Sequence, residues 1–136
     1  MATPLVLQNF MRDGEFLQSE ANGYESRENI IVEGGTGGAG VVYPGTVMGK
    51  ITASGKYVPC LVAAGDGSQT AAGILWGYTD ATNGDVHASL VARYAEVAID
   101  RVIFGTSYGS PPIYGGLAGA TAVLASLAAL GIIVRS

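Results

Sequence analysis

His87 is the only histidine in the sequence, and Ser89 follows it two residues later. A hydroxyl activated by an imidazole is the arrangement that nucleophilic catalysis uses. Both residues fall in a segment of alternating apolar and polar residues, which predicts a β-strand. Residues i and i+2 of a strand share a face, but their side chains stand roughly 6–7 Å apart, too far for a direct hydrogen bond. The spacing therefore favours an ordinary surface or interface histidine over a catalytic one.

Cys60 is the only cysteine, so no intrachain disulfide can form, which fits folding in a reducing compartment. It has no CxxC partner and no neighbouring basic cluster that would lower its pKa. We expect it to be a small, buried apolar residue. With one histidine and one cysteine, the sequence has no zinc-ligand spacing, and we expect no metal site.

Two glycine-containing segments invite a phosphate-binding interpretation, residues 34–40 and Gly45–Ile51. The first lacks the lysine and hydroxyl that a P-loop places after its glycines. The second is one residue short and has Ile51 where Ser or Thr is required. Neither leads into a predicted helix whose N-terminus would face a phosphate. We therefore interpret both as flexible loop or turn sequences and expect no cofactor.

Asp66, Asp80 and Asp85 fall in predicted turns, where aspartate is favoured because its carboxylate bonds to nearby backbone groups. The turn at residues 66–68 lacks the length and ligand spacing of a calcium loop. Nothing in the pattern favours paired carboxylates for acid–base catalysis. The sequence thus predicts a protein that is not an enzyme and that works by binding.

The charge content is low and acidic. Only 13% of the 136 residues are charged, the net charge is −4, and the seven Lys and Arg residues are scattered. There is no basic stripe to neutralise phosphates and no polybasic membrane patch, so we predict no nucleic-acid partner and no membrane partner. The low charge has two explanations that stay open: a subunit partner covers part of the surface, or uncharged polar residues keep it soluble.

The most apolar stretch, Leu117–Val134, is interrupted by Gly119, Ser126 and Gly131. Its period is typical of a buried helix in a soluble domain and too weak for a transmembrane helix. The N-terminus lacks the charge-then-apolar order of a signal peptide. We expect the product to stay in the cytoplasm of the cell that makes it.

From residue 29 onward, β-branched and alternating segments separated by Gly, Asn and Asp predict short strands. Gly55 supplies a positive φ for a hairpin between two of them, and Pro59 ends the second. A helix is predicted near residues 117–130, with Gly131 as its C-terminal cap. The fold class is therefore α+β, predominantly β, with one C-terminal helix. The predicted strands are residues 30–32, 46–52, 56–59, 70–78, 86–93, 95–99 and 132–135.

Residues 1–28 differ in composition and predict an extended N-terminal arm. The arm has five acidic and two basic residues, and its apolar residues follow no sustained period. Asn22 and Gly23 mark a turn within it. Phe10, Phe16 and Tyr24 are costly to leave in water, so they either dock onto a partner or pack back onto their own domain. Both alternatives stay open, and residues 29–136 are the predicted folded domain.

Several segments resemble the lambda-type phage head decoration protein family, in the family's order. Two segments depart from it: the loop at residues 33–44 is richer in glycine, and residues 100–114 do not match. The resembling segments are Gly14–Gly23 with Ser26–Glu28, Gly45–Pro59, Asp66–Gly77, Asp80–Asp85 and Leu127–Arg135.

The resemblance implies a β-clip-like, β-rich subunit that forms a homotrimer. Such trimers cap three-fold and quasi-three-fold positions on the outer surface of an expanded phage head, where they bind the major capsid protein and stabilise the shell. The alternative is another β-rich virion component, such as a tail part or an adhesive surface domain. The resemblance also implies that the arm orders on the shell. The capsid contacts predicted in the arm are Phe10, Phe16, Leu17, Ser19, Glu20, Asn22 and Tyr24.

Overall fold

Short β-strands make up most of the molecule. The computed structural model describes residues 12–61, 64–103 and 120–135. In chain order the elements are β1 (Leu17–Glu20), α1 (Gly23–Ser26), β2 (Arg27–Val32), β3 (Gly40–Val42), β4 (Val47–Lys50), β5 (Tyr57–Pro59), β6 (Ala71–Leu75), β7 (Thr79–Ala81), β8 (Val86–Val91), β9 (Ala95–Ala98), a 3-10 turn (Ile99–Arg101), α2 (Ala120–Ala129) and β10 (Ile132–Arg135).

Five strands close into a barrel in the order β2-β5-β4-β6-β8. The longest pairing is the antiparallel one between β2 and β8, in which Ile30 lies opposite Ala88. A parallel contact between Val32 and Tyr57 closes the ring from β2 to β5. The interior of so small a barrel is filled by side chains. The main buried residues of this inner cluster are Ile30, Val32, Met48, Val58, Leu75 and Leu90.

A second layer covers one side of the barrel. It consists of a three-stranded sheet in the order β1-β9-β10, with α2 beside it. Side chains alternate along a strand, so each of β4, β6 and β8 sends one apolar residue inward and the next outward. The outward residues Val47, Ile74 and Val91 form an outer core with Phe16 and Leu127 from the second layer. These barrel strands are therefore buried on both faces.

The fold class predicted from the sequence is confirmed, and so are most strands and the helix. α2 lies within the predicted range 117–130, and residues 117–119 are outside the described part. Gly55 has a φ of +74° in the β4–β5 hairpin, and Gly131 has a φ of +80° just after α2. Pro59 is the last residue of β5.

One predicted turn is wrong in part. Residues 79–85 were expected to form a turn, but residues 79–81 form β7, which pairs antiparallel with β3 at the end of the glycine-rich loop. Gly34 allows this loop to approach, because a Cβ there would lie 1.9 Å from the carbonyl oxygen of Gly84. Asp85 also differs from the local turn role expected of it: its carboxylate accepts the Gly34 N–H at 3.0 Å and pairs with Lys56 at 2.7 Å.

The predicted extended arm disagrees with the structure from residue 13 onward. Residues 17–20 form β1 inside the second layer, and Phe16 is fully buried in the outer core. Asn22 does not mark a simple turn, because its side chain accepts the Glu25 N–H at 3.0 Å and caps α1. β2 begins at Arg27, so the folded domain includes residues that the sequence pattern assigned to the arm. Residues 1–11 lie outside the described part.

Gly49 offers a test of the packing around β4. The turn at residues 66–68 folds over this strand, with the Thr52 N–H bonded to the Asp66 carbonyl at 3.0 Å. A Cβ on Gly49 would lie 2.1 Å from the backbone oxygen of Ser68. We expect Gly49→Ala to lower the free energy of unfolding by about 1–3 kcal/mol, measured by urea denaturation. Gly84→Ala is the matched control, because a Cβ there meets nothing within 4 Å.

The control variant should stay within about 0.5 kcal/mol of the wild type, as substitutions at open surface positions usually do. Equal stability of Gly49→Ala and Gly84→Ala would contradict the close approach of the turn to β4.

Cys60 provides a second test, of the outer core. The side chain is 1% exposed, its Sγ donates to the Gln69 carbonyl at 3.4 Å, and burial raises the thiol pKa to about 11. The thiol therefore ionises first in the unfolded state, from an ordinary pKa of 9.0. We expect the free energy of unfolding to fall as pH rises from about 9 to about 11, because the thiol ionises in the unfolded state first. Below pH 9 the thiol is protonated in both states, so ionisation of Cys60 should not change the stability there. Cys60→Ala should lack this alkaline slope.

Thiol labelling checks the same burial independently. The native protein should react slowly with an aromatic disulfide reagent at pH 8 and stoichiometrically after denaturation, since the thiolate is the reactive form. Fast labelling of the native protein would show that Cys60 is accessible.

Candidate functional site

The residues that could have supported catalysis do not come together. His87 is exposed on β8 and faces Ile31 across the β2–β8 pairing. The Asp66 carboxylate accepts the Ser68 N–H and the Asp80 carboxylate accepts the Thr82 N–H, each at 3.0 Å. Hydrogen bonds from these Ser and Thr hydroxyls and amides lower the pKa of both aspartates. Both aspartates therefore bond locally, Asp66 within its predicted turn and Asp80 from β7 to the residues that follow the strand.

Residues 12–61, 64–103 and 120–135 contain no group of three or more His, Cys, Asp or Glu side chains that could hold a metal ion. No helix within this part of the chain is long and apolar enough to cross a membrane.

The predicted contact residues occupy different environments. Phe16 is 0% exposed and Leu17 packs against the same outer core. Phe16 was predicted to contact the shell, but its side chain lies inside the domain, where β9 and α2 supply an apolar site for it. Ser19 is exposed on β1, and Glu20 is ion-paired. Asn22 caps α1, which contains Tyr24, and Phe10 lies outside the described residues.

β1 is tied to the second layer by its backbone. It runs antiparallel to β9, with Leu17 opposite Val97 and Glu20 opposite Ala95, and the register shifts at Gln18. The Phe16 carbonyl accepts the Ala98 N–H at 2.9 Å. The residues just before and within β1 are thus part of the domain and not a free segment.

Trp76, just after β6, is the centre of a cluster that binds the N-terminal residues to the barrel. The guanidinium of Arg27 lies 3.8 Å from the ring centroid, a cation–π contact, and it is held there by two hydrogen bonds of 2.7 and 3.0 Å to Glu20. Phe16 meets the same indole edge-on, with centroids 6.3 Å apart. We call Gly14, Phe16, Glu20 and Arg27 around Trp76 the Trp76 clamp.

Gly14 completes the Trp76 clamp because only glycine fits. Its φ is +72°, and a Cβ would lie 2.1 Å from the indole ring. Its N–H donates to the Trp76 carbonyl at 2.9 Å. The backbone therefore lies flat against the tryptophan, and the chain direction at this point is determined by the barrel.

Two carboxylates, those of Asp13 and Glu15, extend this attachment. The Asp13 carboxylate accepts the backbone N–H of Tyr78 at 3.0 Å. The Glu15 carboxylate accepts the Arg12 N–H at 2.9 Å and pairs with Arg101. The hydrogen bond from Arg12 is the main cause of the lowered pKa of this carboxyl group, and Arg101 lowers it further. We call residues 12–20 the arm root, since they attach whatever precedes them to the domain at one place.

Exposed apolar side chains occur on two surfaces near the arm root. One is formed by the exposed Tyr78 and the half-buried Tyr43, whose rings meet edge-on with centroids 5.7 Å apart; we call this pair the tyrosine patch. The other is a shallow groove along the second layer, lined by Ser19 and Glu20 of β1 together with Tyr94 and Ile133.

The Trp76 clamp was not predicted from the sequence. Its members are separated by up to about 60 positions, and cation–π contacts between distant residues leave no local pattern. The one available signal was that Gly14 and Trp76 both fall in segments that resemble the family.

Comparison with known proteins gives one family match. The family model described as bacteriophage lambda head decoration protein D matches residues 6–132, which includes the arm root, the barrel and most of the second layer. No curated protein matches the chain. Because the matched range covers nearly all of the 136 residues, the chain belongs to the bacteriophage lambda head decoration protein D family.

Proposed function

We propose that this chain is a non-enzymatic cement subunit that acts as a homotrimer on the outer surface of an expanded phage head. In this proposal the trimer sits at three-fold and quasi-three-fold positions, binds the major capsid protein and stabilises the shell. The observation that carries the proposal is the family match over residues 6–132, since this is a family of structural decoration proteins of the phage head.

The N-terminal arm is the proposed grip on the shell. The arm root is attached to the barrel by hydrogen bonds from its backbone and side chains. The part of the predicted arm that precedes it is residues 1–11. With Phe16 in the outer core, Phe10 is the aromatic residue of the predicted contact set that lies in this segment. An extended segment of that length reaches at most about 40 Å. It can add a strand to an edge of the shell protein and gain main-chain hydrogen bonds there.

Stabilisation of the shell follows from linkage. A ligand that binds the assembled shell but not its dissociated subunits shifts the equilibrium towards the assembled form. A trimer presents one arm per subunit, and docking of one arm raises the effective concentration of the others at their own sites. Many modest contacts on a regular lattice thus add up to a firm hold.

The charge distribution suits the outer surface. The genome lies inside the shell, so a decorating subunit has no need of a basic stripe, and this chain has only seven scattered basic residues. We propose synthesis in the cytoplasm of the bacterial host, followed by binding to the virion.

Deletion of residues 1–11 tests the arm. We expect this variant to bind expanded heads at least about tenfold more weakly in co-sedimentation, a loss of about 1.4 kcal/mol or more, while its melting temperature and its trimeric mass by light scattering stay unchanged. Deletion of residues 1–28 is not a suitable substitute, because it removes β1, Phe16 and the start of β2 and should lower stability.

A chain in which Gly and Ser replace residues 1–11 is the control for length, and it should bind as weakly as the deletion. Full-strength binding by the deletion variant would show that the arm does not grip the shell. If the wild-type protein fails to bind expanded heads of its own phage, or electron microscopy places it on the tail, the proposed function itself is wrong.

A further inference from the structure

We propose that the tyrosine patch, Tyr43 and Tyr78, is a second contact with the shell, packed under the capsid protein that the arm grips. This inference rests on the proposed function, because it takes residues 1–11 to be docked on the shell. It assigns a part of the folded domain, separate from the arm, to the same interface.

The position of the patch follows from the arm root. The Asp13 side chain accepts the Tyr78 backbone N–H at 3.0 Å, so the chain passes directly beside this tyrosine. Phe10 precedes Asp13 by three residues, and their Cα atoms are therefore at most about 11 Å apart. A shell subunit gripped at Phe10 would therefore be tethered close to the arm root, and Tyr78 lies beside that root.

The orientation of the patch is also suitable. In the β3–β7 ribbon, Val42, Thr79 and Ala81 face inward and are buried. Tyr78, next to Thr79, is 54% exposed and its ring packs edge-on against Tyr43. The neighbouring ring limits the freedom of Tyr78, which lowers the entropy lost on binding. Tyrosine combines a large apolar face with a hydroxyl, and it is enriched in protein interfaces for that reason.

The groove on the second layer is a weaker candidate. β1 leads away from Asp13, and the Tyr94 carbonyl accepts the N–H of Ala21 at the far end of this strand. Tyr94 is as exposed as Tyr78, at 53%, but it lies at the opposite end of the arm root. It is therefore a matched control residue: same type, same exposure, different place.

The experiment compares Tyr78→Asn with Tyr94→Asn in the full chain. Asparagine is chosen for both because Tyr94 has a φ of +51°, a conformation that asparagine tolerates. We expect Tyr78→Asn to weaken binding to expanded heads about tenfold, as loss of an interface aromatic does. Tyr94→Asn should stay within about twofold of the wild type. Tyr78→Phe keeps the ring and should retain most of the binding.

Circular dichroism melts show whether the variants are folded. If Tyr78→Asn lowers the melting temperature so far that binding cannot be read, Tyr43→Asn gives the measurement, and it should weaken binding as well. Equal binding by Tyr78→Asn and the wild type overturns the inference, and so does equal weakening in Tyr78→Asn and Tyr94→Asn.

Measurements on the free protein test two other occupants of the patch, a second copy of this chain and the chain's own arm. If Tyr78→Asn has a lower mass by light scattering than the wild type, the patch is a contact between copies and the inference is wrong. If Tyr78→Asn leaves shell binding intact but makes residues 1–11 easier to cleave in limited proteolysis, the patch holds the arm of its own chain and the inference is wrong. These outcomes are distinct from failure of the proposed function: wild-type protein that does not bind heads removes both proposals, whereas wild-type binding with an unaffected Tyr78→Asn removes only this one.

Discussion

The structure depends on the burial of both faces of three barrel strands. β4, β6 and β8 each carry adjacent apolar residues, one for the barrel interior and one for its outside, as in the pair Ile74 and Leu75. Without a second layer the outward residues would face water. Each Å² of apolar surface left in water forgoes roughly 25 cal/mol of stabilisation, so exposure of these side chains would cost much of the stability of the fold. α2, β9, β10 and β1 provide that layer. The N-terminal residues from Asp13 onward are therefore needed by the body, and only those before them are available for another task.

Sequence reasoning was reliable where the information was local. Gly55 and Gly131 were predicted from turn and cap chemistry, and α2 from its helical period. It failed where partners are distant: Phe16 looked like a docking residue because its neighbours β9 and α2 come some 80 to 110 positions later. β7 was missed since its three residues, Thr79–Ala81, are polar or small, and their pairing with β3 depends on the close approach at Gly34. Barrel closure through Val32 and Tyr57 is equally non-local.

Membership of the head decoration family gives these features a common purpose. A decorating subunit has to keep its own fold while it binds the phage head. The arm root separates the two tasks, because Asp13 and Gly14 attach the chain to Tyr78 and Trp76, in the connection between β6 and β7, where the barrel sets the geometry. If residues 1–11 grip the shell as proposed, changes in them can alter binding without loss of the outer core.

Trp76 is the only tryptophan of the chain, and it lies at this junction. The fluorescence of a partly buried indole depends on the water and the charges around it, and here the Arg27 guanidinium lies over the ring. The molecule therefore contains its own fluorescent probe, packed against the outer core and placed beside the arm root. Any rearrangement of the junction on arrival at the shell would change the colour and yield of that emission, with no added label.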